Sequence, residues 1–210
     1  MGLASELALA VLVVGFLMVG RKSLRALIRF YALQNLLLAL LAFALAEGQW
    51  VFIAAGALLF LLKGFLIPAY LLRLLDRLEV SHEVESYLSI PLSLLMGGGL
   101  VALGFWAGEA FVLPGARLPE AVPVALSLIL LGMFSMATRK KAITQVLGFL
   151  ALENGVFLLA LAESHGLPLF VELGVALDAF AAVFLAGILI FRIKETFGHL
   201  DTARLRELRG

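Results

Sequence analysis

The sequence of 210 residues contains no cysteine, only three histidines and few charged residues. The absence of cysteine excludes disulfides, iron–sulfur ligands, c-type haem attachment and thiol nucleophiles together. His82, His165 and His199 lie outside the long apolar segments, which argues against a haem b subunit with imidazoles projecting from inside its helices. No catalytic triad, phosphate-binding loop, metal-ligand set or dinucleotide fingerprint occurs. The sequence therefore predicts neither a cofactor, nor a metal, nor a catalytic centre in this chain.

Apolar residues dominate what is present. They make up 63% of the sequence, charged residues make up 15%, and the mean hydropathy is +1.09, whereas soluble domains are about 45–50% apolar and about 25% charged. A helix that crosses the hydrocarbon core needs roughly 20 predominantly apolar residues. The strands of a membrane β-barrel would instead alternate in polarity over about 10 residues. The sequence predicts an all-α, polytopic membrane protein with seven transmembrane helices, at residues 3–20, 24–46, 50–72, 87–107, 121–137, 142–162 and 167–191.

The basic residues predict the orientation of these helices. Cytoplasmic loops carry an excess of Lys and Arg, and fourteen of the 16 Lys and Arg residues fall on one side of the predicted spans. Of the other two, Arg117 lies in a loop on the opposite side and Lys63 lies inside a span. The pattern predicts a multi-pass protein of the cytoplasmic (inner) membrane, with its N-terminus outside and its C-terminus in the cytoplasm. The loop charges themselves are expected to be solvated.

The two ends of the sequence are related by an offset of 119 residues. Residues 30–35 (FYALQN) resemble residues 149–154 (FLALEN), and the same offset pairs the basic turns at 21–22 and 140–141. Four crossings separate the copies, so both would point the same way, unlike inverted repeats. We therefore predict a parallel three-helix repeat joined by a linking helix. The divisions are 1–86 (first unit and cytoplasmic loop), 87–120 (linking helix and outer loop) and 121–210 (second unit and cytoplasmic tail).

Ionisable residues occupy the middle of three predicted spans. Lys63, Glu153 and Asp178 lie near mid-span, and Glu172 lies nearer the outer end of the seventh. A charge near the bilayer centre costs about 2.5–3.5 kcal/mol on the insertion scale, and a short carboxylate side chain cannot reach the membrane surface. Asp178 shares a helix face with Ala182, the repeat counterpart of Lys63. This placement favours a buried polar axis.

Two interpretations of these residues remain open from the sequence. Desolvation favours the neutral form of a carboxyl group, so buried carboxyls next to a lysine can form a proton relay. Alternatively, Lys63 forms a purely structural ion pair with Glu153 or Asp178. Asn154 and Gln145 have side chains that can hold water near this position.

Three further features concern packing and the loops. Pro68, five residues after Lys63, removes a helical hydrogen bond and is expected to kink or loosen the third span. The glycines at 97–99 suggest tight contact or bending in the fourth span. The polar segment 76–86 is either a docking site for a cytoplasmic partner or an ordinary connection.

Four ordered motifs carry a resemblance to a known family. They are KGFLIP at 63–68, GFLALENG at 148–155, VELGVALDA at 171–179 and the tail LDTARLRELRG at 200–210. Over nearly the whole chain the sequence resembles the membrane component E family of hydrogenase-4 and related formate hydrogenlyase complexes. Its last three predicted spans are also similar to the K subunit of respiratory complex I and the C subunit of Mrp-type cation/proton antiporters.

The resemblance implies a function and a set of partners. In the complex I family, two carboxylates on adjacent helices form part of a central proton axis in the membrane. Glu153 and Asp178 match these two positions, although complex I members carry glutamate at the second. The resemblance implies a small subunit without redox centres of its own. It would lie in the lipid bilayer beside antiporter-like membrane subunits, with hydrogenase and iron–sulfur subunits on the cytoplasmic side.

The sequence leads to one main hypothesis and two rivals. The chain is expected to be a non-redox, proton-conducting subunit of a hydrogenase-4-like energy-converting complex, in which Glu153, Asp178, Lys63 and Glu172 take part in proton transfer. The first rival is a purely structural scaffold subunit of that complex. The second is an independent small secondary transporter.

Overall fold

The computed structural model describes residues 2–77 and 84–163, all within a compact unit that spans residues 1–174. These residues form helices and loops without a β-strand, as the sequence predicts. A π-helix at Leu59–Leu66 joins the third and fourth α-helices, and a short 3-10 helix at Glu109–Phe111 extends the fifth. The α-helices are α1 (Leu3–Val19), α2 (Leu24–Ala44), α3 (Trp50–Leu58), α4 (Ile67–Arg77), α5 (Ile90–Gly108), α6 (Ala121–Thr138) and α7 (Ala142–Glu163).

Five helices of this described part are long and apolar enough to cross a membrane. They are Leu24–Ala44, Trp50–Arg73, Ile90–Phe111, Ala121–Thr138 and Ile143–Glu163. The apolar helix α1 has 17 residues and is shorter than these five. The predicted seventh span, 167–191, lies outside the described residues. The structure thus supports a multi-pass, all-α membrane protein, and the number of seven spans stays a prediction.

Four helices form the centre of this unit. Helix α1 packs on α2 and α6, and α7 packs on α6 and α2. The α3–π–α4 segment lies against α2, while α5 lies against α6 and α1. These two outer elements expose many large apolar side chains, including Phe65 and Trp106. Lipid is the solvent in which such surfaces are stable.

Glycines bring α5, α6 and α7 into close contact. A Cβ on Gly132 would lie 2.6 Å from Leu152 Cα, and one on Gly104 would lie 2.6 Å from Ser127 Cα. Small residues allow such backbone approach, on which helix association in lipid depends. For the 97–99 run the sequence predicted tight contact or bending, and the structure does not show tight contact there. Gly97 approaches only side chains, and Gly98 and Gly99 face open space, so the close contacts lie further along α5.

The basic turns meet at one end of the helices, as predicted. Val84 N–H donates to Lys22 C=O over 2.7 Å, and Lys140 N–H donates to Glu85 C=O over 3.1 Å. Lys141 Nζ pairs with Glu85 Oε1 at 3.0 Å. Arg25 pairs with Asp76 at the same end, at 2.6 Å. These contacts join the turns after α1, α4 and α6.

Acidic residues gather at the opposite end. Glu47 pairs with Arg117 at 2.9 Å, and the Glu163 carboxylate accepts the Leu113 N–H. The Ser5 hydroxyl donates to Glu120 and, as the main cause, holds the pKa of that carboxyl below its ordinary value. Glu47, Glu120 and Glu163 therefore lie at the end opposite the basic turns.

Arg139 corrects the expectation that the loop charges are solvated. Its side chain is buried, and its guanidinium donates to Val19 C=O over 2.6 Å, to Met18 C=O over 3.3 Å and to Arg21 C=O over 3.5 Å. Burial lowers the pKa of this group. The last carbonyls of a helix lack intrahelical donors, and Arg139, directly after α6, supplies donors to those at the end of α1.

Candidate functional site

A π-helix places Lys63 inside the protein. In the π-helix Leu59–Leu66 the backbone hydrogen bonds join residues five apart, as where Ile67 N–H donates to Leu62 C=O. Pro68 has no N–H and its ring would crowd the Gly64 carbonyl of a regular α-helix, so the wider turn relieves this conflict. The sequence predicted a loosened span here, and the structure shows its form. π-segments inside α-helices are frequent at functional sites.

Lys63 forms a buried ion pair with Glu153 of α7. The Lys63 Nζ atom lies 3.1 Å from Glu153 Oε2, and the two side chains are 5% and 1% exposed. Gly64, next to the lysine, lets the π-helix approach Leu36 of α2. The pair therefore joins the α3–π–α4 segment to α7. Of the two partners that the sequence left open for Lys63, the structure brings Glu153 to it.

Amide side chains extend this pair into a buried polar network. Lys63 Nζ lies 3.5 Å from Asn154 Oδ1, and Asn154 Nδ2 donates to Gln34 Oε1 over 3.0 Å. Gln34 Nε2 in turn donates to Val11 C=O over 3.4 Å. Gln34, Glu153 and Asn154 are each 1% exposed or less. The network thus crosses the centre of the unit from α1 to the π-helix.

The members of the network lie at half the height of their helices. Val11 is the central residue of α1, Gln34 is the central residue of α2, and Glu153 is at the centre of α7. A polar layer at this height lies farthest from water on both sides of a bilayer, where unpaired polar groups cost most. Each amide in the layer is accordingly held by another polar group.

Asn35 adds a second buried amide beside Gln34. Its Nδ2 donates to Tyr31 C=O over 2.8 Å, four residues earlier on α2. Its Oδ1 accepts no hydrogen bond from any residue in the described ranges. An acceptor of this kind in the interior has room in its hydrogen-bonding capacity for one more donor.

A small cavity lies between α1, α2, α6 and α7 toward the basic end. Its volume of about 10 Å³ suits about one water molecule. Ser135, Arg139 and Thr144 supply its polar lining, and Gly15 lines it too. A Cβ on Gly15 would lie 2.9 Å from Gln34 Nε2, so the cavity approaches the polar network.

The structure places only some of the residues singled out from the sequence. It brings Lys63 and Glu153 together, whereas Asp178 and Glu172 lie outside the described residues. Gln145 donates to Arg139 C=O over 2.9 Å and stabilises the basic end.

Sequence reasoning missed the part played by Gln34. The offset that aligns residues 30–35 with 149–154 pairs Gln34 with Glu153, and that pairing was the signal that could have identified it. The structure gives Gln34 a hydrogen bond to Asn154, the residue that follows Glu153.

The arrangement brings an acidic and a basic group into direct contact in an apolar interior. A carboxylate and an ammonium group at 3.1 Å exist as a charged pair or, after transfer of one proton, as a neutral pair. In a low-dielectric surrounding the balance between these forms responds strongly to any nearby charge. Such a pair suits proton transfer, and it also holds the π-helix against α7.

Comparisons with known proteins agree with this picture. The family model for NADH-ubiquinone/plastoquinone oxidoreductase chain 4L matches residues 121–210. An uncharacterized protein of Mycobacterium tuberculosis is 34% identical over 198 residues, which cover 92% of this chain and 90% of that protein. Hydrogenase-4 component E of Escherichia coli K12 is 28% identical over 213 residues, which cover 99% of this chain and 98% of that protein. No solved structure matches the chain significantly.

Both levels of similarity agree with the motifs described above. The relatives match over nearly the full length, and the chain 4L match covers the part that includes Glu153. The chain therefore belongs to the hydrogenase-4 component E family, and residues 121–210 relate it to chain 4L of the NADH-ubiquinone/plastoquinone oxidoreductases.

Proposed function

We propose that this chain is a proton-conducting, non-redox membrane subunit of a hydrogenase-4-like energy-converting complex. The observation that carries the proposal is the Lys63–Glu153 pair, which is buried at mid-height in a membrane-spanning unit. Charged residues at this depth are costly and mark ion pathways in membrane proteins. The similarity to hydrogenase-4 component E and to chain 4L supports the assignment of the chain to such a complex.

The partners of the chain follow from the family. Antiporter-like membrane subunits lie beside it in the lipid bilayer, and hydrogenase and iron–sulfur subunits lie on the cytoplasmic side. The parent complex resembles formate hydrogenlyase and complex I. The chain itself supplies no redox cofactor, and its contribution is the passage of protons.

The topology that we propose has seven spans in the cytoplasmic (inner) membrane. Two parallel three-helix units flank α5, the N-terminus lies outside and the C-terminus lies in the cytoplasm. The helix bounds support the repeat, because an offset of 119 residues moves α1 and α2 to 122–138 and 143–163, within one residue of α6 and α7. The joined basic turns support one cytoplasmic end.

The proposed relay includes two residues beyond the described part of the chain. Asp178 is the second carboxyl of the axis and exchanges protons with Glu153. Glu172, nearer the outer end of the predicted seventh span, supplies an outer branch. Lys63 tunes both carboxyls by its charge. A water in the cavity near Gly15 fits such a relay, because it would carry protons between the basic end and the network.

The experiment replaces the carboxyl groups and leaves their shapes intact. Glu153→Gln and Asp178→Asn are introduced into the chain within its complex, in membrane vesicles. Proton translocation is followed with a pH-sensitive dye while the redox turnover of the complex is measured in the same vesicles. Glu163→Gln is the matched control, since it is a buried carboxyl on the same helix that, within the described ranges, contacts a backbone N–H rather than an ammonium group.

The outcomes separate the proposal from its rivals. Assembled complexes that turn over but no longer translocate protons in the Glu153→Gln and Asp178→Asn variants support the relay, provided that Glu163→Gln behaves as the parent. Unchanged translocation in both variants leaves the scaffold as the function. Transport of an ion or solute by the purified chain alone in liposomes would replace the proposal with an independent transporter.

A further inference from the structure

We infer that Gln34 and Asn154 are positioning residues for the proton site, since they orient the oxygen that holds the Lys63 ammonium beside Glu153. The inference rests on the proposed function and deepens it. It assigns a task in proton transfer to a residue of α2, outside the part of the chain that resembles chain 4L.

Within the described residues, oxygen atoms of two adjacent residues of α7 lie near the Lys63 ammonium. Glu153 Oε2 lies 3.1 Å from Nζ and Asn154 Oδ1 lies 3.5 Å from it. When Glu153 takes up a proton, its attraction for the ammonium falls, and the amide oxygen remains as a neutral acceptor. Asn154 therefore keeps Nζ within reach of the carboxyl in both protonation states.

The orientation of the Asn154 amide is set from a fixed backbone group. A carbonyl oxygen only accepts hydrogen bonds, so Val11 C=O requires the NH₂ group of Gln34 to face it. Gln34 Oε1 then faces Asn154 and accepts from its Nδ2. The remaining Asn154 atom, Oδ1, is thereby directed to Lys63. Reversal of either amide would place two donors or two acceptors against each other.

Burial makes this order of contacts consequential. Gln34 and Asn154 are fully buried. Loss of either amide therefore leaves a buried polar group without a hydrogen-bond partner, which costs free energy. The amides also occupy the contact between α2 and α7. A change in the reach of one side chain that the other does not match therefore breaks their contact and frees the oxygen that faces the ammonium.

A reciprocal exchange of the two amides tests the inference. Gln34→Asn shortens one side of the contact and Asn154→Gln lengthens the other, whereas the double variant preserves both the summed length and the donor–acceptor pattern. Gln145→Asn is the matched control. It shortens a glutamine to asparagine as Gln34→Asn does, at a residue of α7 that donates to Arg139 C=O. All four are compared in the assembled complex in vesicles.

Two readouts are used. The first is the rate of proton translocation per redox turnover. Each single exchange is expected to lower it roughly tenfold, the equivalent of a weakened hydrogen bond to a charged group, and the double exchange is expected to restore it. The second is the infrared absorption of the Glu153 carboxyl group, assigned by its loss in Glu153→Gln. It is expected to shift in both single variants and to return in the double variant.

The results divide cleanly. Single variants that translocate protons at the parental rate with an unshifted band would overturn the inference, as would a double variant as impaired as the single ones. Where a single exchange prevents assembly, Gln34→Met keeps the volume, removes both hydrogen bonds and must show the same loss. If the Glu153→Gln variant itself translocates protons at the parental rate, the failure lies with the proposed function and not with the positioning role of the two amides.

Discussion

Replacement of Lys63 by methionine isolates the electrostatic contribution of the buried pair. Methionine retains most of the length of the lysine stem and removes the ammonium group, so the carboxylate of Glu153 loses the charge that lies 3.1 Å away. In the double variant Lys63→Met, Glu153→Gln both charges disappear and the volume is nearly unchanged. The comparison of single and double variants therefore measures the loss of the Lys63 charge beside Glu153 rather than a change of packing.

The magnitude follows from distance and burial. Two unit charges 3.1 Å apart attract by about 5 kcal/mol at an effective dielectric constant of about 20. This attraction is offset by the desolvation of both groups, so removal of the whole pair costs little. Removal of one partner from a buried pair typically costs about 3–5 kcal/mol. We expect Lys63→Met to lower the free energy of unfolding by about 3 kcal/mol, and the double variant by less than about 1 kcal/mol.

The measurement is unfolding of the full-length chain in detergent micelles by increasing amounts of a denaturing detergent, followed by circular dichroism. A lower pH should narrow the gap between the two variants, since a protonated Glu153 carries no charge that needs a partner. Equal stability of the single and double variants at neutral pH would refute the reasoning. It would mean that the charge of Glu153 is compensated without Lys63.

Two further predictions concern packing and the basic end. Gly132→Ala should lower the free energy of unfolding by about 1–3 kcal/mol, because the new Cβ would lie 2.6 Å from Leu152 Cα. Gly98→Ala, which meets open space on α5, is the control and should leave stability unchanged; equal losses would contradict the close contact of α6 and α7. Arg139→Met should cost about 2 kcal/mol through loss of hydrogen bonds from a charged donor to the end of α1. The Lys140 ammonium lies over the Tyr87 ring, and Lys140→Met should cost less than about 1 kcal/mol. Thermal unfolding in micelles measures both losses, and a larger loss in Lys140→Met than in Arg139→Met would contradict the prediction.

Much of the described architecture was predictable from local sequence features. Apolar runs of sufficient length set the helices within a few residues, since any polar backbone group in lipid must be bonded within its own helix. Among the predicted starts, that of the fourth span differs, since α5 begins at Ile90 rather than at residue 87. There Pro91 occupies the first turn of the helix, a position that suits proline.

The candidate site was predictable in part. The depth of Lys63 and Glu153 along their helices follows from counting residues, and depth alone marks them as costly unless paired. Which partner Lys63 meets depends on helix rotation and on the wider turns of the π-segment, which composition does not encode. Gln34 was overlooked because its amide carries no charge, and the sequence alone does not show which residue it contacts. Only its contact with Asn154 gives it a task.

By itself, the sequence determined that this chain lies in a membrane as a set of apolar helices and that its basic turns share one end, because hydrophobicity and charge act residue by residue. Tertiary structure alone decided that Lys63 pairs with Glu153, that an amide contact joins α2 to α7, and that Arg139 is buried at the end of α1. These facts depend on which faces of separate helices meet. That choice is made by close packing between distant segments and leaves no local mark in either one.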